Sequence, residues 1–402
     1  MKNGENFLEK LITSCNGKYN PIRSFSTEDL KEATNNYDIQ KIITSDASYE
    51  LYKGLLRGHL ISVMKFGDKP TSSDAYEYCY NNIVFASQMS HKNILRLIGC
   101  CLETRIPILV FEPIEYGTLA DRTYNNNPLQ PCFVPLLLTQ RLKIAMEIAN
   151  ALAYFHVGFS RPIVFKTINP INILFDEQNI AKLSDFTLSV SIPDGETHIK
   201  GWVAGTMGLI APDYMRTGLC NEQSDVYSFG VLLLVLLTGQ KIYDPSRGKT
   251  GGDYWLLLHV KKCNENNRFM EMIDPVIVRQ VLCARKVQQL QAFTNLALKC
   301  ASESPNDRPT MVDVAKQLWQ FFNFLSNSDL LIAESAATHP QVNKMVSFWR
   351  KEYWEKRGET HIKDAQFRGY VGYTAPELCR GVLNEKCDVY GFGILLLEIL
   401  TG

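Results

Sequence analysis

The segment IVFKTINPINILFDE, residues 163–177, spaces its polar side chains as a catalytic loop would. Two β-branched residues lead into Phe165-Lys166-Thr167, an asparagine follows at 172, and an apolar run closes the segment. Asn172 and, thirteen residues on, Asp185 carry polar side-chain oxygens. Lys65 carries an ammonium that pairs with anions. What the loop lacks is a carboxylate. Thr167 offers only a hydroxyl, which cannot accept a proton at neutral pH as a carboxylate base does. Residue type alone leaves plainer roles open. Lys65 could end a strand with its head in solvent, Asp185 could cap a turn, and Asn172 could bond only backbone.

These side chains need elements to position them. From about 38 to 113 the short apolar or β-branched runs ELYKGLL, HLISVMKF, ILRLIGCCL and IPILVFE predict strands, with one helix around 72–89. From 139 the period changes. LTQRLKIAMEIANALAYFH places Leu142, Ala145, Ile148, Ala149, Leu152 and Phe155 on one helical face. Helical patterns recur at 224–238, 253–262, 284–301 and 310–325. Near the start, Ser26 with Asp29 three positions on predicts a capping box. The implied class is α+β, a small β-rich lobe followed by a large helical lobe with a cleft between them. The boundaries read as an N-terminal extension with a short helix over 1–36, the small lobe over 37–113, the large lobe over 114–325, and a linker over 326–357.

Composition narrows the classes. The 42 basic and 42 acidic residues cancel, which argues against nucleic acid or an acidic substrate. The 11 cysteines are scattered with no paired CxxC spacing, so reduced, buried thiols are expected rather than a disulfide framework or a zinc site. The N-terminus has no signal-peptide core and no Gly at position 2 for myristoylation. The longest apolar stretch, Phe229 to Leu237, is too short to span a bilayer. A cytoplasmic protein is expected, reaching the plasma membrane only through partners.

One segment occurs twice. GETHIK stands at 195–200 and again at 358–363, and APELCRGVLNEKCDVYGFGILLLEILTG (375–402) parallels APDYMRTGLCNEQSDVYSFGVLLLVLLTG (211–239). The spacing of about 163 residues is far too long for a solenoid repeat. Residues 358–402 therefore read as a truncated duplicate of part of the large lobe.

With these landmarks in order, the chain resembles a eukaryotic protein kinase over roughly 37–325. SVMK (62–65) stands where V-A-I-K belongs and SDFT (184–187) where D-F-G belongs. GTMGLIAPDY (205–214) is similar to the end of an activation segment, with Ala211-Pro212-Asp213 for A-P-E. SDVYSFGVLLL (224–234) resembles the buried helix that anchors the catalytic loop, and DRPTM (307–311) supplies an arginine. FSTEDLKEATNNY, HKNILRLIGCCLE and SDVYSFGVLLLVLLTG are similar to plant wall-associated and receptor-like cytoplasmic kinases. The damaged loop with a retained Lys65 resembles the ZED-related pseudokinases among them.

The resemblance implies roles and losses. Lys65 matches the phosphate-binding lysine, and Asn172 and Asp185 match the magnesium ligands. Asp225 matches the anchor of the catalytic loop, and Arg308 the partner of the acid at Asp213. Against this, no catalytic residue is intact. Phe165, Lys166 and Thr167 stand for His-Arg-Asp, and Asn169 for a catalytic lysine. The loop IITSDASYELYKG has no glycine before Gly54, and Asp46 would face phosphate with like charge. Asn82 stands where the helix glutamate should hold Lys65. Thr187 replaces the D-F-G glycine, whose backbone freedom a Cβ disfavours. No cofactor is required on this reading, and any Mg-ATP binding is weak.

Three readings stand at this point. The first, implied by the family, is a pseudokinase scaffold linking a nucleotide-binding leucine-rich-repeat immune receptor to active receptor-like cytoplasmic kinases. Its partner surfaces would be the activation segment with Trp202, and the stretch after the buried helix with Tyr254, Trp255 and Leu258. The second is an atypical serine/threonine kinase using Lys65, Asn172 and Asp185. The third is a non-functional gene fusion.

Overall fold

The computed structural model describes residues 22–46, 48–67, 74–124, 135–249, 253–279, 284–338, 362–363 and 382–383. The chain divides into two units, one made of residues 1–127, 134–281 and 287–321 and holding both lobes, the other of residues 128–133, 282–286 and 322–402.

The small lobe is a six-stranded sheet of β1 (Arg23–Ser24), β2 (Ile42–Ser45), β3 (Tyr49–Leu56), β4 (His59–Phe66), β5 (Leu97–Cys101) and β6 (Ile108–Phe111). Its order is β1-β5-β6-β4-β3-β2, antiparallel except for the β1–β5 edge. Central β4 buries Ile61 to Met64 in succession, because both faces of the sheet are covered there. The helix Thr27–Thr34 covers one face, packing Leu30 and Ala33 with Tyr52, Val63 and Val110. It starts as expected: Ser26 Oγ accepts from the Asp29 amide at 3.1 Å, and Asp29 Oδ2 accepts from the Ser26 amide at 3.3 Å. The helix Asp74–Gln88 lies against β5 and β6.

One boundary moves. Residues 23–36 are part of the small lobe rather than an extension before it, since β1 pairs with β5 and Leu30 and Ala33 are core. A two-residue edge strand has no periodicity to read, so the sequence hid it.

The large lobe is built on the helix Glu222–Thr238, buried without a break from Ser224 to Thr238. An all-apolar helix needs core on every side. The helix Leu138–Val157 buries Leu142, Ala145, Ile148, Ala149, Leu152 and Phe155, the face its periodicity predicts. Gly230 lets Ala284–Cys300 come close: a Cβ there would lie 2.7 Å from the Ala301 nitrogen. The remaining long helices are Leu256–Glu265 and Met311–Thr338. The last runs past 325, so the first part of the expected linker is helical.

The six cysteines placed among the described residues are free and buried. In the second unit, Ile362 pairs with Leu383 and Lys363 with Val382. Their sequence counterparts pair in the same register, Ile199 with Cys220 and Lys200 with Leu219. The rest of 358–402, including the apolar segment 391–400, lies outside the described residues.

Candidate functional site

The β2–β3 turn occupies the place expected for a phosphate-covering loop. The Asp46 amide donates to the Tyr49 carbonyl at 2.9 Å and closes it tightly. Strand alternation then turns Tyr49 and Leu51 inward and Glu50 outward. Tyr49 is only 2% exposed, with its ring 6.0 Å from that of Phe66. Its hydroxyl reaches across the cleft and donates to Asn172 Oδ1 at 3.3 Å. Burial, then the charges of Asp185 and Asp46, push this phenol well above its ordinary range, so it remains a donor.

Asn172 passes the connection on. Its Nδ2 donates to the Thr167 carbonyl at 3.1 Å and to Asp185 Oδ2 at 3.2 Å. Asp185 Oδ1 accepts from both the amide and the hydroxyl of Thr187. Burial pushes the Asp185 carboxyl up to about 6, with Thr187 opposing and the like charge of Asp46 adding to the rise. Thr187 keeps a negative φ, so its Cβ causes no backbone strain. Here the structure corrects the sequence: the residue in the glycine position is a clamp on Asp185.

Asn82 also has a new task. Its Oδ1 accepts from the Phe186 amide at 2.9 Å, and its Nδ2 donates to Thr187 Oγ1 at 3.1 Å. Lys65 lays its ammonium 4.6 Å from the centre of the Tyr37 ring, and among the described residues it forms no ion pair.

The catalytic-loop backbone is held in shape although Thr167 stands at the position of the base. Asp225 accepts from the amides of Phe165 and Lys166, each at 2.8 Å, and lies 3.0 Å from His156 Nε2. Lys166 adopts φ +65°, and its ammonium sits 5.4 Å from the Tyr214 ring centre. Thr167 Oγ1 donates to the Asp185 carbonyl at 2.6 Å. Asn169 Oδ1 accepts from the Ile171 amide, and its Nδ2 donates to Thr206. Phe165 belongs to the core: its ring centre is 5.5 Å from those of both Phe155 and Phe186, and Phe85 stacks on Phe186 at 6.3 Å.

A magnesium nucleotide would need free oxygens at Asn172 and Asp185 and free amides along the cleft. Each oxygen named above already accepts a hydrogen bond. In the connection between the lobes, the Ile114 amide donates to Ser62 Oγ at 3.1 Å. Binding that group would therefore compete with hydrogen bonds already made within the chain. No cluster of metal-binding side chains occurs among the described residues, and none of their helices is long and apolar enough to cross a membrane.

The fold-supporting pair is in place, with Arg308 Nη2 donating to Asp213 Oδ1 at 2.5 Å. The expected partner-binding residues differ among themselves. Trp202 is 94% exposed, its carbonyl fixed by the Tyr214 hydroxyl at 2.7 Å. Tyr254 and Leu258 are exposed, at 51% and 48%. Trp255 is half-buried, packing 4.9 Å from Tyr243 and so close to Gly208 that a Cβ there would lie 2.8 Å from its Cζ3. It supports the surface more than it presents itself.

Sequence reasoning missed Tyr49, Ser62 and the pairing of Asn82 with Thr187. For Tyr49 a signal existed, because it shares the inward phase of Leu51 in β3. For the others the partner is remote in sequence and no local pattern names it.

Residues 39–318 match the family described as protein tyrosine and serine/threonine kinase. The chain is 38% identical over 337 residues to serine/threonine-protein kinase ZRK1 of Arabidopsis thaliana, covering 82% of this chain and 93% of that one. It is 40% identical over 326 residues to non-functional pseudokinase ZED1 of the same plant, covering 79% and 94%. With wall-associated receptor kinase-like 1, also from Arabidopsis thaliana, it shares 36% over 318 residues, covering 79% of this chain and 42% of the relative. The chain belongs to the protein kinase family.

Proposed function

We propose that this member of the protein kinase family is a pseudokinase that works as a scaffold in plant immune signalling. On this reading it joins a nucleotide-binding leucine-rich-repeat receptor to active receptor-like cytoplasmic kinases, needs no nucleotide, and acts in the cytoplasm or at the plasma membrane through those partners. The observation that carries the pseudokinase part is the internal satisfaction of the cleft. Asn172, Asp185 and the Ile114 amide are bonded within the chain, and the base position holds Thr167. The name of the relative ZED1 supports it. The exposed Trp202, Tyr254 and Leu258 supply apolar anchors of the kind that dominate interfaces.

The test is co-precipitation from plant tissue of wild type, Thr167→Asp, Trp202→Ala and a Tyr254→Ala/Leu258→Ala double variant. Wild type and Thr167→Asp should capture a leucine-rich-repeat receptor equally without nucleotide. The double variant should lose the receptor, and Trp202→Ala the cytoplasmic kinase. Receptor capture that requires ATP and intact Lys65, or no capture by wild type, sinks the reading.

The alternative, a weak serine/threonine kinase, draws on the name of the relative ZRK1 and on the presence of Lys65, Asn172 and Asp185. Incubation with γ-labelled ATP and a generic protein substrate separates the two. Label incorporation that disappears in both Lys65→Ala and Asp185→Ala favours the kinase.

A further inference from the structure

We infer that Tyr49 is an interlobe clasp, a side chain of the small lobe that occupies the metal end of the cleft and ties the lobes together in place of a ligand. This deepens the pseudokinase reading and rests on it for the cleft being out of catalytic use.

The bonds form one continuous path that leaves the small lobe and returns to it. It begins at the Tyr49 hydroxyl on β3 and crosses to Asn172 Oδ1 in the large lobe. From Asn172 Nδ2 it passes to Asp185 Oδ2, and from Asp185 Oδ1 to the amide and hydroxyl of Thr187. Asn82 Nδ2, on the small-lobe helix Asp74–Gln88, donates to Thr187 Oγ1 and completes the return. Asn81 Nδ2 adds a parallel bond to the Thr187 carbonyl at 3.0 Å. Every member of the main path is buried, with Tyr49 itself only 2% exposed. In such a network each bond polarises the next, and water cannot replace a broken one cheaply.

Tyr49 is held in position from three directions. The turn bond from Asp46 fixes its carbonyl, its ladder partner in β4 is Phe66, and its ring leans on that of Phe66. The hydroxyl arrives at the asparagine oxygen that a divalent cation would otherwise take. A phosphate-bound cation and the clasp thus need the same atom, and each weakens the other by thermodynamic linkage. Chemically, the excluded class is a nucleoside triphosphate with its divalent ion. The clasp substitutes a neutral phenol for it and keeps the cleft shut with no ligand present.

Hydrogen exchange read by mass spectrometry on the full chain tests this, with wild type, Tyr49→Phe and Tyr49→Ala, each with and without millimolar Mg-ATP. Tyr49→Phe keeps the ring against Phe66 and deletes only the hydroxyl. Its peptides over 170–187 should exchange roughly five- to tenfold faster than wild type, the loss expected for one buried hydrogen bond. Tyr49→Ala should exchange faster still, and Mg-ATP should slow it more than it slows wild type. Exchange over 170–187 in Tyr49→Phe equal to wild type overturns the clasp. So does a Mg-ATP response in Tyr49→Ala no larger than that of wild type. Phosphate transfer by wild type would instead sink the pseudokinase reading, and the exchange comparison does not depend on it.

Discussion

Arg308 closes on Asp213 from 95 residues away, its Nη2 donating to Oδ1 at 2.5 Å. The same guanidinium donates to the carbonyls of Ser302, Gln223 and Glu303 and lies 5.2 Å from the centre of the Tyr227 ring. Asp213→Ala should cost about 1.5–3 kcal/mol, because the buried cation keeps its three carbonyls and loses only the charged acceptor. Arg308→Ala should cost more, about 3–5 kcal/mol, since it empties the whole arrangement. Urea melts rank the two. The reverse order would mean that the carbonyl contacts contribute little.

Phe165 stands where the histidine of a His-Arg-Asp loop would, and it packs among Phe155 and Phe186 with no exposed surface. Phe165→Ala should destabilise the fold by about 3–5 kcal/mol through the cavity it leaves. Phe165→His should also destabilise it, because neither ring nitrogen would meet a partner in an apolar stack. A Phe165→His variant as stable as wild type in thermal melts would show that the stack tolerates a polar ring.

Asp185 sets a pH dependence with a definite sign. Its folded-state carboxyl titrates near 6 against an ordinary 3.8, mainly because it is buried. Folded protein therefore binds this proton more tightly than unfolded protein. The contribution to stability is fully present below about 3.8 and is lost as pH rises through about 6. The difference between the two limits is on the order of 3 kcal/mol. Asp185→Asn removes the titration, so the melting temperature of the variant minus that of wild type should be larger at pH 7.5 than at pH 5. A constant difference across that range would place the titration elsewhere.

Thr167→Asp should put a carboxylate at the base position without producing catalysis. The hydroxyl that donates to the Asp185 carbonyl is lost, and a new negative charge enters beside Asp185. Labelled phosphate incorporation should stay at background, because Asn172 and Asp185 remain bonded to Tyr49 and Thr187. Measurable transfer by the single variant would mean that the absent base was the whole defect.

Much of the fold was legible because it is written in local periods. The helical face of Leu138–Val157 and the strands β3 to β6 follow from spacing within one element, and the capping box spans only three residues. The short edge strand Arg23–Ser24 was not legible, since two residues carry no period and its partner lies near 99. The candidate site divides along the same line. That Thr167 stands in the place of a carboxylate, and that Asp213, Asp225 and Arg308 stand at the anchoring positions, could be read from residue type in register. That Trp255 packs inward while Leu258 stays exposed depended on what Tyr243 and Gly208 bring against it.

The sequence by itself determined the kinase-like order of elements and the absence of a catalytic carboxylate, because both depend on residues near one another or on the type of a single residue. Only the tertiary structure decided what became of the groups left over. Tyr49 meets Asn172 across 123 residues, and Asn82 meets Thr187 across 105. A hydrogen bond acts over about 3 Å, and a donor and acceptor so distant in the chain come within that reach only when two lobes have folded and closed. Residue type says that a tyrosine hydroxyl can donate, and the packed cleft selects the atom that receives it.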